Sequence, residues 1–219
     1  MAKVIIFGVG QIAEIAHFYL TNDSEHEVVA FTVDREFLSI KDFHDLPVIA
    51  YEELLERYPP SDFKLFIPIS YKKVNKLRAE RFYDAKAKGY ECVSYISSRA
   101  VYYNTPVGEN CFILEDNVIQ PFTEIGDNCI LWSGNHIGHH SRVGNHCFIA
   151  SHVVVSGSVT VGDYSFIGVN STVRDNVILG DSNVIGAGSV ILSDTNTNSV
   201  YSPKETEKSR VPSNRLRGI

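Results

Sequence analysis

The segment GNHIGHHSRVGNHCFIASH, residues 134–152, holds five of the chain's eight histidines: His136, His139, His140, His146 and His152. Histidine at this density suits two kinds of chemistry. Neutral imidazoles ligate transition metals, and an imidazole that titrates near neutrality can take a proton from an attacking amine or hydroxyl. A third reading is structural, because histidine, like Asn and Asp, tolerates the left-handed backbone of a tight corner. The choice depends on the backbone that carries these residues.

The chain has 219 residues, 44% of them hydrophobic and 21% charged, with a formal net charge of −6. That is the composition of a soluble protein with room for one large domain or two modest ones. The acidic balance and the lack of a Lys/Arg-dense run argue against nucleic acid or an anionic membrane as partner. The apolar run in MAKVIIFGVG is too short for the core of a signal peptide, and no stretch approaches membrane-spanning length, so a cytoplasmic protein is expected. Cys111, Cys129 and Cys147 are spaced 18 apart, which matches neither a zinc nor a redox signature.

Two periods divide the chain. Residues 3–97 alternate strand-like and helix-like runs. KVIIFG, EVVAFTVD, FKLFIPIS and YECVSYI read as strands, and VGQIAEIAHFYL, YEELLERY and YKKVNKLRAERFYDAKAKG as helices. The first helix is expected to turn Ile12, Ile15, Ala16 and Tyr19 inward. Such alternation predicts a small parallel α/β sheet. From Val101 to Ile191 every sixth residue is Val, Ile or Leu without a slip. A period of six belongs to neither a helix nor a flat strand; it is that of a hexapeptide-repeat parallel β-helix, in which three rungs close an 18-residue coil. The three cysteines then stack in one column at the fifth position of their rungs, about 4.8 Å apart, as small core fillers. The boundaries expected are an α/β domain at 1–97, a β-helix at 98–192 and a tail at 193–219.

The same period sorts the histidines. His140, His146 and His152 fall at the fourth position of successive rungs, shared elsewhere with Asn104, Asn110, Asp116, Asn128, Gly134, Asn170, Asn176 and Gly188. These residue types mark a corner. Successive corners lie on different edges of the prism, so three such histidines of one chain cannot ligate one ion. A metal site would need neighbouring subunits, as in γ-class carbonic anhydrases, whose His pair five apart has no counterpart here. No metal is expected.

VIIFGVGQIA, Asp34 and ILWSGNHIGHHSRVGNHCFIASHVVVSGSVTVGDYSFIGVNSTV together resemble the bacterial nucleotide-sugar acyltransferases, which acetylate bacillosamine precursors or perosamine, and the related sialic acid O-acetyltransferases. The resemblance covers essentially the whole chain. It implies a Rossmann-like nucleotide-sugar domain, a left-handed β-helix, acetyl-CoA or another acyl-CoA as co-substrate, and a homotrimer with sites between subunits. The activity implied is N-acylation of a nucleotide-linked amino-deoxysugar in surface polysaccharide biosynthesis, with O-acylation as the alternative. A carbonic-anhydrase-like enzyme and a non-catalytic nucleotide-sugar-binding protein are the more distant readings. The family's general base maps onto His140, with His139 and His136 as rivals. Its flanking acids are replaced by His139 and Ser141, leaving Glu124 or Asp116 to substitute, and a second family histidine by Phe148.

The resemblance also implies ligand contacts. Gly157, Ser158 and Asn176, in the column of His140, would face the acyl thioester with backbone amides, and Gly168, Gly186 and Gly188 would admit the pantetheine arm. GVGQIA, after a strand and before a helix, would form a phosphate or nucleotide cradle from Gly8, Gly10 and Gln11. Asp34 would read the base or ribose. Ser70, with Lys72, Lys73, Asn75 and Arg78, would meet the diphosphate, and Arg210, Arg215 and Arg217 the phosphates of coenzyme A.

Overall fold

The computed structural model describes residues 1–215, so Arg217 lies outside the described residues. The amino-terminal half is a five-stranded sheet in the order β3-β4-β2-β1-β5, built from β1 (Lys3–Phe7), β2 (Glu27–Val33), β3 (Asp42–Phe43), β4 (Leu46–Ala50) and β5 (Phe63–Phe66). All neighbours are parallel except β3, which pairs antiparallel with β4. Val4, Ile5 and Ile6 are fully buried on both faces of β1, as a strand covered from both sides requires.

Helix α1 (Gln11–Asn22) buries Ala13, Ala16 and Leu20. Of the face expected, Ala16 is buried and Ile15 and Tyr19 pack against the same core, while Ala13 and Leu20 extend it; Ala13 lies in van der Waals range of Gly8. YEELLERY forms a 3-10 turn at Tyr51–Glu53 and then the one-turn α2 (Leu54–Arg57). Helix α3 (Lys76–Ala87) starts later than its apolar pattern suggested, because Lys73, Val74 and Asn75 take left-handed φ of 53°, 52° and 63°.

The second half is the left-handed parallel β-helix. Two-residue strands one coil apart stack in register, as Ile130–Leu131 does on Phe112–Ile113 and Phe148–Ile149. The first face runs through these strands to Phe166–Ile167 and Val184–Ile185. The second face holds Val118–Ile119, His136–Ile137, Val154–Val155, Thr172–Val173 and Val190–Ile191. The third holds Glu124–Ile125, Arg142–Val143, Thr160–Val161 and Ile178–Leu179. The period-six aliphatics from Ile113 to Ile191 fill the interior, each stabilising by about 1.5–3 kcal/mol. Cys111, Cys129 and Cys147 stand among them as free thiols, donating to Gly126, Gly144 and Gly162 carbonyls. The ends differ from the simple division. Tyr95–Ile96, expected in the α/β sheet, already pairs with Phe112–Ile113, and Val200–Tyr201 of the tail adds a strand beside Val184–Ile185.

The α/β domain packs on the first face, where Phe31, Phe66 and Leu20 share a core with Phe112, Ile130 and Phe148. At the edge between third and first faces the contact is polar. The Arg78 guanidinium, wholly buried, donates to the carbonyls of Asn128 (3.0 Å), His146 (2.9 Å), Cys147 (3.0 Å), Ile69 (3.0 Å) and Ser70 (3.3 Å), and to Asn75 Oδ1 (3.1 Å). Burial lowers its pKa to about 10, which leaves it charged at neutral pH. Asn75 donates in turn to the Tyr164 and Ser165 carbonyls. Both residues, expected at a diphosphate, are instead cross-braces between the domains.

Beside them runs a one-way chain of hydrogen bonds. The Ile67 N–H donates to Asn110 Oδ1 (2.8 Å), Asn110 Nδ2 to Asn128 Oδ1 (2.7 Å), and Asn128 Nδ2 to His146 Nδ1 (2.8 Å). The proton of His146 is thereby placed on Nε2, which donates to the Tyr83 hydroxyl (2.8 Å). Burial, with Arg78 nearby, lowers the His146 pKa to about 4.

Two outcomes follow from this junction. Arg78→Ala leaves several buried carbonyls without donors and should destabilise by about 3–5 kcal/mol, read by chemical denaturation; an unchanged midpoint would contradict the bracing role. His146 binds its proton more readily unfolded than folded, so stability should fall as pH drops from about 6.5 towards 4, by about 3 kcal/mol. His146→Asn should flatten that slope in melting curves taken across the interval.

Candidate active site

The predicted substrate residues converge. Gly8, Gly10, Gln11, Asp34 and Ser70 all line one cleft of about 740 Å³ at the carboxyl ends of β1 and β2, joined by Lys72, Lys73 and Arg81. Gly8 takes φ 111° at the strand-to-helix turn, and Gly10 is the extended residue that opens α1. This is the place where an open α/β sheet binds phosphorylated ligands. Asp34 is not a free carboxylate: Arg81 donates to it at 2.8 Å. The Arg81 guanidinium also lies 5.4 Å and 5.2 Å from the ring centroids of Phe7 and Tyr51. Arg81 was not singled out in the sequence. It stands one turn of α3 beyond Arg78, and only the docking of that helix separates the buried brace from the cleft residue.

The histidines are divided by the three edges. Every fourth-position residue from Asn104 to Gly188 has φ between 52° and 79°, so all three corner histidines have the left-handed conformation expected. His146 is sealed under the α/β domain. His152 is exposed, with its ring directly over Gly134, where a Cβ would stand 2.5 Å from Nδ1. His140 lies on the edge between second and third faces, away from the α/β domain, and is exposed together with His139. Among the described residues no group of three or more His, Cys, Asp or Glu is placed to hold a metal ion.

His139 and His140 meet side chain to side chain, Nδ1 to Nδ1 at 3.1 Å. One nitrogen must donate and the other accept, so in the neutral pair the ring that donates through Nδ1 keeps an unprotonated Nε2. The backbone of His139 is tied at both ends: its N–H donates to Gln120 Oε1 (2.9 Å), and its carbonyl accepts from the Ser158 N–H (2.8 Å). Its ring lies over Gly157, where a Cβ would come within 2.7 Å of Cε1 and 2.9 Å of Nε2. His140 packs against Phe122, with ring centroids 4.7 Å apart. His136 faces outward on the second face, half-buried and hydrogen-bonded to neither ring. Asp116 pairs with Arg99, and Ser141 Oγ is committed to the Ser156 carbonyl and the Val159 N–H. No carboxylate of the described residues contacts the pair.

The expected acyl-CoA residues divide as well. Gly157, Ser158 and Asn176 share the edge of His140, but the Ser158 amide is taken by the His139 carbonyl, so it is not free to meet an oxyanion. The Gly157 N–H has no acceptor among the described residues. Asn176 donates to Asp175 Oδ2. Gly168 and Gly186 press on the next coil, where a Cβ would stand 2.6 Å from Ala187 N and 2.9 Å from the Tyr201 carbonyl oxygen. Gly188 is a corner with open space before it, on the edge between first and second faces. Arg210 and Arg215 lie in the exposed tail. Neither His139 nor His140 lines the cleft of the α/β domain.

Residues 104–139, 123–157 and 158–193 match the family model described as bacterial transferase hexapeptide (six repeats). No curated protein matches the chain. Among solved structures, the acetyltransferase domain of PglB from Neisseria gonorrhoeae aligns at 21% identity over 91% of this chain and 96% of that one, with a TM-score of 0.78. A mutant of perosamine N-acetyltransferase from Caulobacter crescentus, in complex with CoA and GDP-perosamine, aligns at 24% identity over 91% and 93%, with a TM-score of 0.79. WeeI from Acinetobacter baumannii aligns at 15% identity over 91% and 96%, with a TM-score of 0.77. Residues 104–193 of this chain thus match the bacterial transferase hexapeptide model, and the chain as a whole has the fold of these three structures.

Proposed function

We propose that the protein is an acyl-CoA-dependent N-acyltransferase, with acetyl-CoA as donor and the amino group of a nucleotide-linked amino-deoxysugar as acceptor. The observation that carries this reading is the exposed His139–His140 pair set against the free Gly157 N–H. A proton acceptor and a backbone donor side by side suit attack on a thioester. The cleft around Gly8, Asp34 and Ser70 supplies the place for the nucleotide, and the likeness in fold to a structure holding CoA and GDP-perosamine supports both ligands.

The two imidazoles divide the work. The sequence singles out His140, with His139 as its rival; the geometry favours the two acting as a unit. His139 donates through Nδ1 to His140 Nδ1, which takes the place of the orienting carboxylate. His139 Nε2, over Gly157, is then the nitrogen free to accept the proton. The amine attacks the thioester carbonyl and a C–N bond forms. His139 takes the amine proton, the Gly157 N–H holds the developing oxyanion, the C–S bond breaks, and coenzyme A leaves as the thiolate. Because neither ring lines the cleft, the sugar of one chain meets the imidazole pair of another, in keeping with a homotrimer. No described helix is long and apolar enough to cross a membrane.

The test is release of free thiol from acetyl-CoA against UDP-, dTDP- and GDP-linked amino sugars, with hydroxyl-only analogues in parallel. Turnover with an amino sugar is expected, and silence across the panel would remove the reading. With a substrate in hand, His139→Ala should lower kcat by about 10²–10⁴-fold. His140→Ala should be the milder loss, with His140→Asp recovering part of it; the reverse order would return the base to His140. Gly157→Ala forces the His139 ring aside, and about a 10²-fold loss of kcat is expected with the melting temperature little changed. Normal turnover in that variant would show that the ring need not lie where it does.

A further inference from the structure

Phe122 sits in a conformation its side chain disfavours. It occupies a corner with φ 65°, where a bulky L-residue is strained. Burial does not offset the strain, because the side chain is 75% exposed. The other corners of the same column hold Asn104, Ser158 and Asn176 beside His140, none of which exposes an apolar ring. The ring of Phe122 makes one aromatic contact, with the His140 imidazole, at 4.7 Å between centroids and 34° between planes.

A matched pair on another edge shows what such a contact accompanies. Tyr164 tilts over His146 at 4.7 Å and 32°. That imidazole is already caged, with one nitrogen on Asn128, the other on Tyr83, and nine-tenths or more of its surface buried. His140 has no cage. It is exposed, and its hydrogen bond to His139 is the one its ring makes to the described residues. A histidine in solvent rotates broadly about χ2, and each half-turn exchanges Nδ1 for a carbon. An aromatic face laid against it limits that rotation and offers no polar group to compete for the imidazole nitrogens. Backbone strain kept at an exposed site points to function.

We propose that Phe122 is a positioning residue for the imidazole pair. Its ring holds His140 with Nδ1 towards His139 Nδ1, which keeps in place the hydrogen bond on which the proposed tautomer of His139 depends. The proposal rests on the reading of His139 and His140 as the base, and its test separates the two.

Phe122→Asn puts a residue common at corners in place of the strained phenyl. A structural Phe122 would be missed in both stability and rate, whereas a positioning residue separates them. The variant should melt about 2–4 °C higher, while kcat falls about 10-fold and the KM for acetyl-CoA stays within about twofold. Phe122→Tyr should recover wild-type kcat. In ¹⁵N-resolved spectra of the histidine rings, the His140 signals should lose their ring-current shift, and the fixed tautomer of His139 should average. Wild-type kcat in Phe122→Asn, alongside an inactive His139→Ala, overturns the proposal. So does a loss of kcat accompanied by a changed sedimentation coefficient, which assigns Phe122 to contact between copies of the chain. If His139→Ala and His140→Ala both turn over normally, the reading of the base fails. The ring spectra then decide alone, and unaltered His139 and His140 signals in Phe122→Asn reject the positioning role.

Discussion

The guanidinium of Arg78 is the constraint on which the two-domain arrangement depends. A charge buried without a carboxylate must find its hydrogen bonds elsewhere, and here carbonyls from two domains converge on it. Three of them belong to the corner residues Asn128 and His146 and the neighbouring Cys147, and the others to the segment after β5. The fan is planar and directional, so it specifies the angle of docking as apolar contact on the first face cannot. The hydrogen-bond chain beginning at the Ile67 N–H adds polarity: a backbone donor cannot reverse, so every amide along the chain is oriented, and so is the tautomer of His146.

Docking on that edge decides the fate of each histidine. The repeat produces three corners with the same left-handed backbone, and nothing local distinguishes them. The α/β domain covers one edge and turns His146 into a buried neutral imidazole, pushed far from the range in which it could exchange protons at neutral pH. The opposite edge stays open and carries His139 and His140. A single period therefore yields one buried histidine, His146, and two corner histidines left in solvent, His140 with His139 beside it and His152.

The open edge also differs in its hydrogen bonding. Along the covered edge, third-position side chains cap the amide of the preceding coil, as Asp127 does for Glu109, Asn145 for Asp127, Asp163 for Asn145 and Asp181 for Asp163. Along the open edge the matching column runs Pro121, His139, Gly157, Asp175, and the ladder lapses. The Gly157 amide is left without a partner among the described residues, and the His139 ring lies where a Cβ of Gly157 would stand. The cleft around Gly8 and Asp34 lies on the other domain, so in one chain the two halves of the proposed chemistry stay apart.

Much of this was legible in the residues alone. An unbroken aliphatic period of six can be satisfied by one backbone, so the β-helix, its corners and the column of buried cysteines followed from counting. The glycine turn after β1 and the acid ending β2 marked the cleft, since phosphate cradles are local in sequence. Phe122 was not singled out among the corner residues, and its meaning required the neighbour one coil away. What counting could not supply was anything that depends on which face another element covers. Arg78 and Arg81 are three residues apart on one helix, yet one braces two domains and the other reaches Asp34. Ser158 and Gly157 are adjacent, yet one amide is spent on a carbonyl and the other has no acceptor among the described residues. The sequence determined the coil and its corners because these follow from local periodicity; burial, pairing and the partner of each imidazole were decided by tertiary contacts between residues that no spacing relates.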